Sequence, residues 1–191
     1  MTSLKERIEM LENALRTTPM RVGVYAGMPF AILRYDPPEE WTVRREARLL
    51  ATRLEEVGRE VVFISLADVL WEAIAECEGL EAIVRQERES GFAAAQAQIN
   101  TWLSHKDWVP IELLLNRRMH GLDPHRHVVF LHRAAAMAPA MYFLSTMLDK
   151  LNTEVTTILW YPGAREGENQ LRFMDMQGRD ALSTYRATIY G

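Results

Sequence analysis

Apolar residues along the chain change period in a way that spells out alternating strands and helices. Leu4, Ile8, Leu11 and Leu15 recur at helical spacing, with Glu6, Arg7, Glu9 and Glu12 on the opposite face. This predicts an amphipathic opening helix that Pro19 ends. The short apolar run Phe30 to Tyr35 then reads as a strand. Asp36-Pro37-Pro38-Glu39 has the form of a helix start, with Asp36 able to cap, Pro37 at the first helical position and Glu39 where a capping-box partner belongs. The next helix carries Val43, Ala47, Leu50, Leu54 and Val57 on one stripe and is closed by Gly58. Glu60 to Ile64 is almost continuously apolar, as expected of a strand covered on both faces. Ser65-Leu66-Ala67-Asp68 repeats the capping logic and launches a helix through Val69, Leu70, Ala73 and Ile74.

The stretch that follows is helical: Leu80 to Glu89, Phe92 to Leu103 and Val109 to Met119. It predicts a helical insert over residues 78–123 carrying Trp102 and Trp108. Val128 to Leu131 is the third strand, followed by an alanine-rich loop to Ala138 and a helix from Pro139 to Leu151. From Ala134 to Leu148 the chain is apolar nearly all round, so this helix needs cover on more than one side, from its own sheet or from another subunit. Val155 to Trp160 is a further strand, stopped by Tyr161-Pro162-Gly163. Leu171 to Met176 and Ser183 to Tyr190 predict a C-terminal β-hairpin with turns at 166–169 and 177–180. Strand, capped helix, strand, capped helix is the grammar of an α/β fold: a mainly parallel sheet flanked by helices, a P-loop-like or Rossmann-like core. At 191 residues a single domain over 1–191 is expected.

Composition adds exclusions. Hydrophobic types at 48% and charged types at 25% are ordinary globular values, and the net charge of −4 argues against a protein built around nucleic-acid phosphates. One cysteine, Cys77, cannot form an internal bridge, which fits a reducing compartment. Val128 to Leu148, the most apolar stretch, is broken by His132, Arg133 and Pro139 and does not read as a membrane span. A cytoplasmic protein is expected.

Chemistry-bearing patterns are incomplete. Only Lys5, Lys106 and Lys150 are lysines, and none follows a glycine-rich turn, so the core lacks a phosphate loop. His120, His125, His127 and His132 cluster in sequence without the cysteine or carboxylate partners a metal site wants. Ser65 is accounted for as a cap and Ser145 sits in an apolar helix. Cys77 lies between Glu76 and Glu78, which raise its thiol pKa. Asp36 and Asp68 stand at the carboxyl ends of strands, where capping explains both. No catalytic residue, metal or cofactor is expected. What remains is an arginine rim, since 19 of the 22 bases are Arg. Arg117, Arg118, Arg126 and Arg133, with Met141, Tyr142, Tyr161, Arg165 and Arg186, are the candidate partner-binding residues.

The segment Pro29 to Glu40, with Pro29-Phe30 and Tyr35-Asp36-Pro37, resembles the opening of the BrxB family, small subunits of bacterial BREX phage-defence systems. Val61–Leu70, then Val128-Val129-Phe130-Leu131, Pro139, Trp160-Tyr161-Pro162-Gly163, Leu171-Arg172-Phe173 and Tyr185-Arg186-Ala187 match later landmarks of that family in order. The chain departs from the family at His132-Arg133-Ala134, where small residues are usual, and at Tyr142, where Arg is frequent. The resemblance implies a non-enzymatic adaptor whose partner is a PglZ-type subunit and, through it, a DNA methyltransferase. The alternative that the residues leave open is a nucleotide- or nucleic-acid-binding module of the same system.

Overall fold

The computed structural model describes residues 2–22, 28–138, 144–177 and 182–191. The helices are α1 (Leu4–Arg16), α2 (Glu40–Glu55), α3 (Leu66–Glu76), α4 (Gly79–Ser90), α5 (Phe92–Ser104), α6 (Ile111–Met119) and α7 (Leu144–Lys150). The strands are β1 (Phe30–Tyr35), β2 (Glu60–Ser65), β3 (His127–His132), β4 (Thr156–Arg165), β5 (Gln170–Phe173), β6 (Leu182–Thr184) and β7 (Thr188–Tyr190). Local signals set many of the boundaries. Ser3 and Glu6 form a capping box at α1, and Ser65 Oγ accepts from the Asp68 N–H (3.2 Å) at the start of α3. Gly58 at φ +78° ends the α2 turn, where the Arg59 N–H reaches back to the Leu54 carbonyl at 3.0 Å.

The sheet has the order β2-β3-β4-β1-β7, parallel throughout, with β5 and β6 branching antiparallel from the end of β4. Because strand side chains alternate, the sheet supports two cores. Ala31, Leu33, Tyr35, Val128, Phe130, Ile158 and Trp160 pack under α1 and α2. Ile32, Ile64, Val129, Leu131, Leu159 and Tyr161 pack under α3 to α7. Residues of the expected insert, Trp102, Leu103, Ile111, Leu114 and Leu115, belong to this second core.

Several expectations need correction. The strand expected to be covered on both faces is an edge strand: β2 pairs only with β3 among the described residues, and Phe63 is 41% exposed. Tyr161-Pro162-Gly163 does not stop β4. The strand continues to Arg165 and changes partner there, from β1 to β5. Gly163, at φ +153°, is what permits the change, since a Cβ there would collide with the Arg172 carbonyl. Ser183 to Tyr190 is not one strand: β6 closes the hairpin with β5, while β7 leaves it to lie beside β1. Arg7, expected on the polar face of α1, is buried, and Val57 is exposed beyond the end of α2. The alanine-rich segment is a 3-10 turn over Ala134–Met137; the expected helix that follows it is described as α7 over Leu144–Lys150, and its expected residues 139–143 lie outside the described residues.

Candidate functional site

Two places gather chemistry, one on each face of the sheet. On the α2 side, the carboxyl ends of four strands line up Tyr35 (β1), Trp160 (β4), His132 (β3) and Phe63 (β2). With Glu40, Val43, Arg44, Ala47 and Arg48 of α2, and with Arg133, they enclose a cavity of about 250 Å³. Open α/β sheets present ligand crevices at this edge. Glu40 accepts from the Tyr35 hydroxyl and from Arg44 Nε (2.7 Å). Burial and that carboxylate push the Tyr35 phenol far above its ordinary range. Burial pushes the His132 pKa down, and the nearby Arg44 and Arg133 guanidiniums add to the effect, so its imidazole is held neutral. Arg44 also lies over the exposed Trp41 ring at 4.8 Å.

The turn after β1 is closed to phosphate. Pro37 and Pro38 have no N–H, the Glu39 N–H is taken by the Asp36 carbonyl (2.8 Å), and the Asp36 N–H by the Glu39 carboxylate (3.1 Å). The Asp36 carboxylate itself is held by the buried Arg34, whose carbonyl accepts from the equally buried Arg7 (2.6 Å).

On the opposite side, the outer stripe of α3 (Asp68, Trp71, Glu72, Ala75 and Glu76) is reached from other elements by arginines. Arg133 pairs with Asp68 at 3.0 Å, Arg118 with Glu72, and Arg117 with Glu76 at 2.9 Å. Trp71 stands among these pairs with 55% of its surface exposed. Three of the candidate arginines are therefore brought together on one ladder, across 41 to 65 residues of sequence. Arg133 adopts a left-handed backbone conformation (φ 58°) at the end of β3, which places it at both sites.

The other candidates scatter. Arg126 pairs with Glu60 (2.8 Å) at the amino end of the sheet. Arg165 ties the Gly167, Glu168 and Gly191 carbonyls together at 2.7–3.0 Å. Arg186 is exposed. Tyr161, expected at a partner surface, is instead fully buried against Phe173 and Tyr185 and serves the core. Met141 and Tyr142 lie outside the described residues. Among the described residues no group of three or more His, Cys, Asp or Glu side chains could hold a metal ion. Asp68 is a salt-bridge partner, the cap being Ser65. The Cys77 thiol is pushed up chiefly by burial, with Glu76 and Glu78 as lesser causes. Reading the sequence alone missed Trp71, Arg44, Arg48 and the Tyr35–Glu40 pair. Of these, Trp71 had a signal: a large aromatic residue beside Glu72 on the polar stripe of an otherwise apolar helix.

A family model described as BREX protein BrxB matches residues 62–189, which runs from within β2 to within β7, takes in the whole α3 ladder and leaves out α1, β1 and α2. No curated protein matches the chain, and no solved structure does. No helix among the described residues is long and apolar enough to cross a membrane.

Proposed function

The chain belongs to the BrxB family of BREX proteins and is thus a component of a BREX phage-defence system, and from that premise we propose that it works as a non-enzymatic adaptor. It docks a PglZ-type subunit and, through it, the system's DNA methyltransferase, in the cytoplasm. The observation that carries this reading is the exposed Trp71 set in the arginine–carboxylate ladder of α3. A solvent-facing Trp costs apolar exposure in the free protein, and Trp and Arg dominate the energetically important positions of protein interfaces. The surrounding ion pairs supply a polar rim of defined geometry. The same pairing disfavours direct nucleic-acid contact, because Arg117, Arg118, Arg126 and Arg133 each already face a carboxylate that a phosphate would have to displace.

Affinity purification of the tagged full chain, co-expressed with the remaining subunits of its system, tests the proposal. The PglZ-type subunit is expected to co-purify, and Trp71→Ala is expected to weaken the association tenfold or more. A chain that purifies alone with every other subunit present ends the reading.

A further inference from the structure

The cavity under α2 lies on the other face of the sheet from Trp71, and its wall has a different composition. We propose that it binds a small aromatic anion of the chemistry of a nucleoside monophosphate.

Four observations converge on that ligand. The floor is a row of rings from four adjacent strands: Tyr35 and Trp160 form its buried base, and His132 and Phe63 are the rings a ligand can reach. Phe63 is the accessible end of the row: it meets Phe130 and His132 edge-on, at 5.5 and 5.8 Å, and leaves 41% of its surface open. A planar base stacks on such a ring, and base–aromatic stacking is tolerant of base identity.

The walls are cationic, with the guanidiniums of Arg44, Arg48 and Arg133 set against the single carboxylate of Glu40. Glu40 is already engaged by Tyr35 and Arg44, and Asp68, outside the cavity, engages Arg133. Arg48 is exposed and has no acidic partner among the described residues. It is thus the donor left over for a ligand anion, in the forked geometry that suits phosphate. The helix N-terminus after β1, the usual phosphate seat of such sheets, is closed by Pro37, Pro38 and Glu39, so the anion must be held by side chains. Finally, a volume of about 250 Å³ lies just under the ~300–1,000 Å³ of pockets for drug-sized ligands, which is the scale of one mononucleotide. Trp160, in the same wall, carries an indole N–H buried without an acceptor among the described residues.

Isothermal titration of the full chain with the four ribonucleoside monophosphates, their nucleosides and inorganic phosphate tests the assignment. At least one monophosphate is expected to bind one to one, more than tenfold tighter than its nucleoside and than inorganic phosphate. Arg48→Ala, at an exposed side chain, and Phe63→Leu, at the accessible ring, are each expected to weaken that binding at least fivefold, with Tm unchanged in Arg48→Ala. No heat from any monophosphate at millimolar concentration overturns the proposal. So does inorganic phosphate binding as tightly as the nucleotide, which marks a bare cationic patch, and so does binding that neither variant alters.

Discussion

The two faces of the sheet use arginine in opposite ways. On the α3 side Arg117, Arg118 and Arg133 are each matched to a carboxylate on one helical stripe, so the charge is internally balanced and the exposed feature is an indole. On the α2 side the guanidiniums outnumber the carboxylates around a hollow, and Arg48 is left over. The cores beneath differ as well. The α3 to α7 layer is deep, drawing Trp102, Ile111, Leu114 and Met147 onto the sheet. The α1–α2 layer is thinner and interrupted at the carboxyl edge of the sheet by polar side chains such as Glu40 and Arg44. Arginine abundance alone therefore does not mark a site. What distinguishes one is whether each charge has a partner in its own chain, and whether there is room beside it.

The comparison breaks most visibly if the deep layer is not one body. Trp102, in α5, is 1% exposed and its ring lies 5.8 Å from that of Trp108, tilted against it. Trp102→Ala is expected to cost about 3–5 kcal/mol, as buried large-to-small changes do. Leu50→Ala, under the thinner layer, should cost ~2–5 kcal/mol. Denaturant unfolding followed by fluorescence and by circular dichroism is expected to stay a single coincident transition in both variants. A separate early transition confined to the α4–α5 region would show that these helices form their own unit, and the contrast between two layers of one domain would fall.

Next in size is the ladder. Removing one charge from it, as in Arg117→Ala or Glu76→Gln, is expected to change stability by less than ~1 kcal/mol, because the pair is about half exposed. Trp71→Ala is expected to be as mild for the free chain, since an exposed side chain loses little on truncation. Loss of partner binding with an intact Tm is the expected signature. A Trp71→Ala chain that unfolds more readily by several kcal/mol would make the indole a packing residue and remove its claim to an interface.

Much of the fold was legible because its signals are local. The stripe Val43, Ala47, Leu50, Leu54, the cap Ser65 and the closing Gly58 act within one or two helical turns, and all behave as the spacing says. What escaped depends on strand order. Val61 to Ile64 has the composition of a central strand, yet it lies at the edge because β1 crosses over two strand positions before β2 is laid down. Pro162-Gly163 has the form of a turn, but the chain only changes partner there, a choice made by β5, which comes later in the sequence. The cavity was invisible for the same reason: Tyr35, Phe63, His132 and Trp160 span 125 residues of chain and meet only through parallel register. The sequence singled out arginine as the candidate residue type. It could not show that Arg118 finds Glu72, 46 positions away, or that Tyr161 and its neighbour Trp160 are buried in the two opposite cores, Trp160 at the base of the cavity.

The smallest expected effect bears on the cavity face alone. His132 is neutral in the fold, its pKa lowered first by burial and then by Arg44 and Arg133. Unfolded, it titrates at an ordinary value near ~6.5. As pH falls through that value the unfolded chain takes up a proton that the folded chain still refuses, so the unfolded state binds more protons and stability declines. The contribution is fully present above the unfolded value, fades as pH drops towards the lower folded value, and becomes constant below both. His132→Gln keeps a polar group of similar reach without the titration, so its stability between pH 7.5 and 5 should fall less steeply than that of the parent chain. Urea unfolding at half-unit steps across that window measures the difference. Parallel curves would mean that the imidazole accepts its proton in the folded state as readily as in water, in which case Arg44 and Arg133 are screened from the cavity and the electrostatic contrast between the two faces is lost.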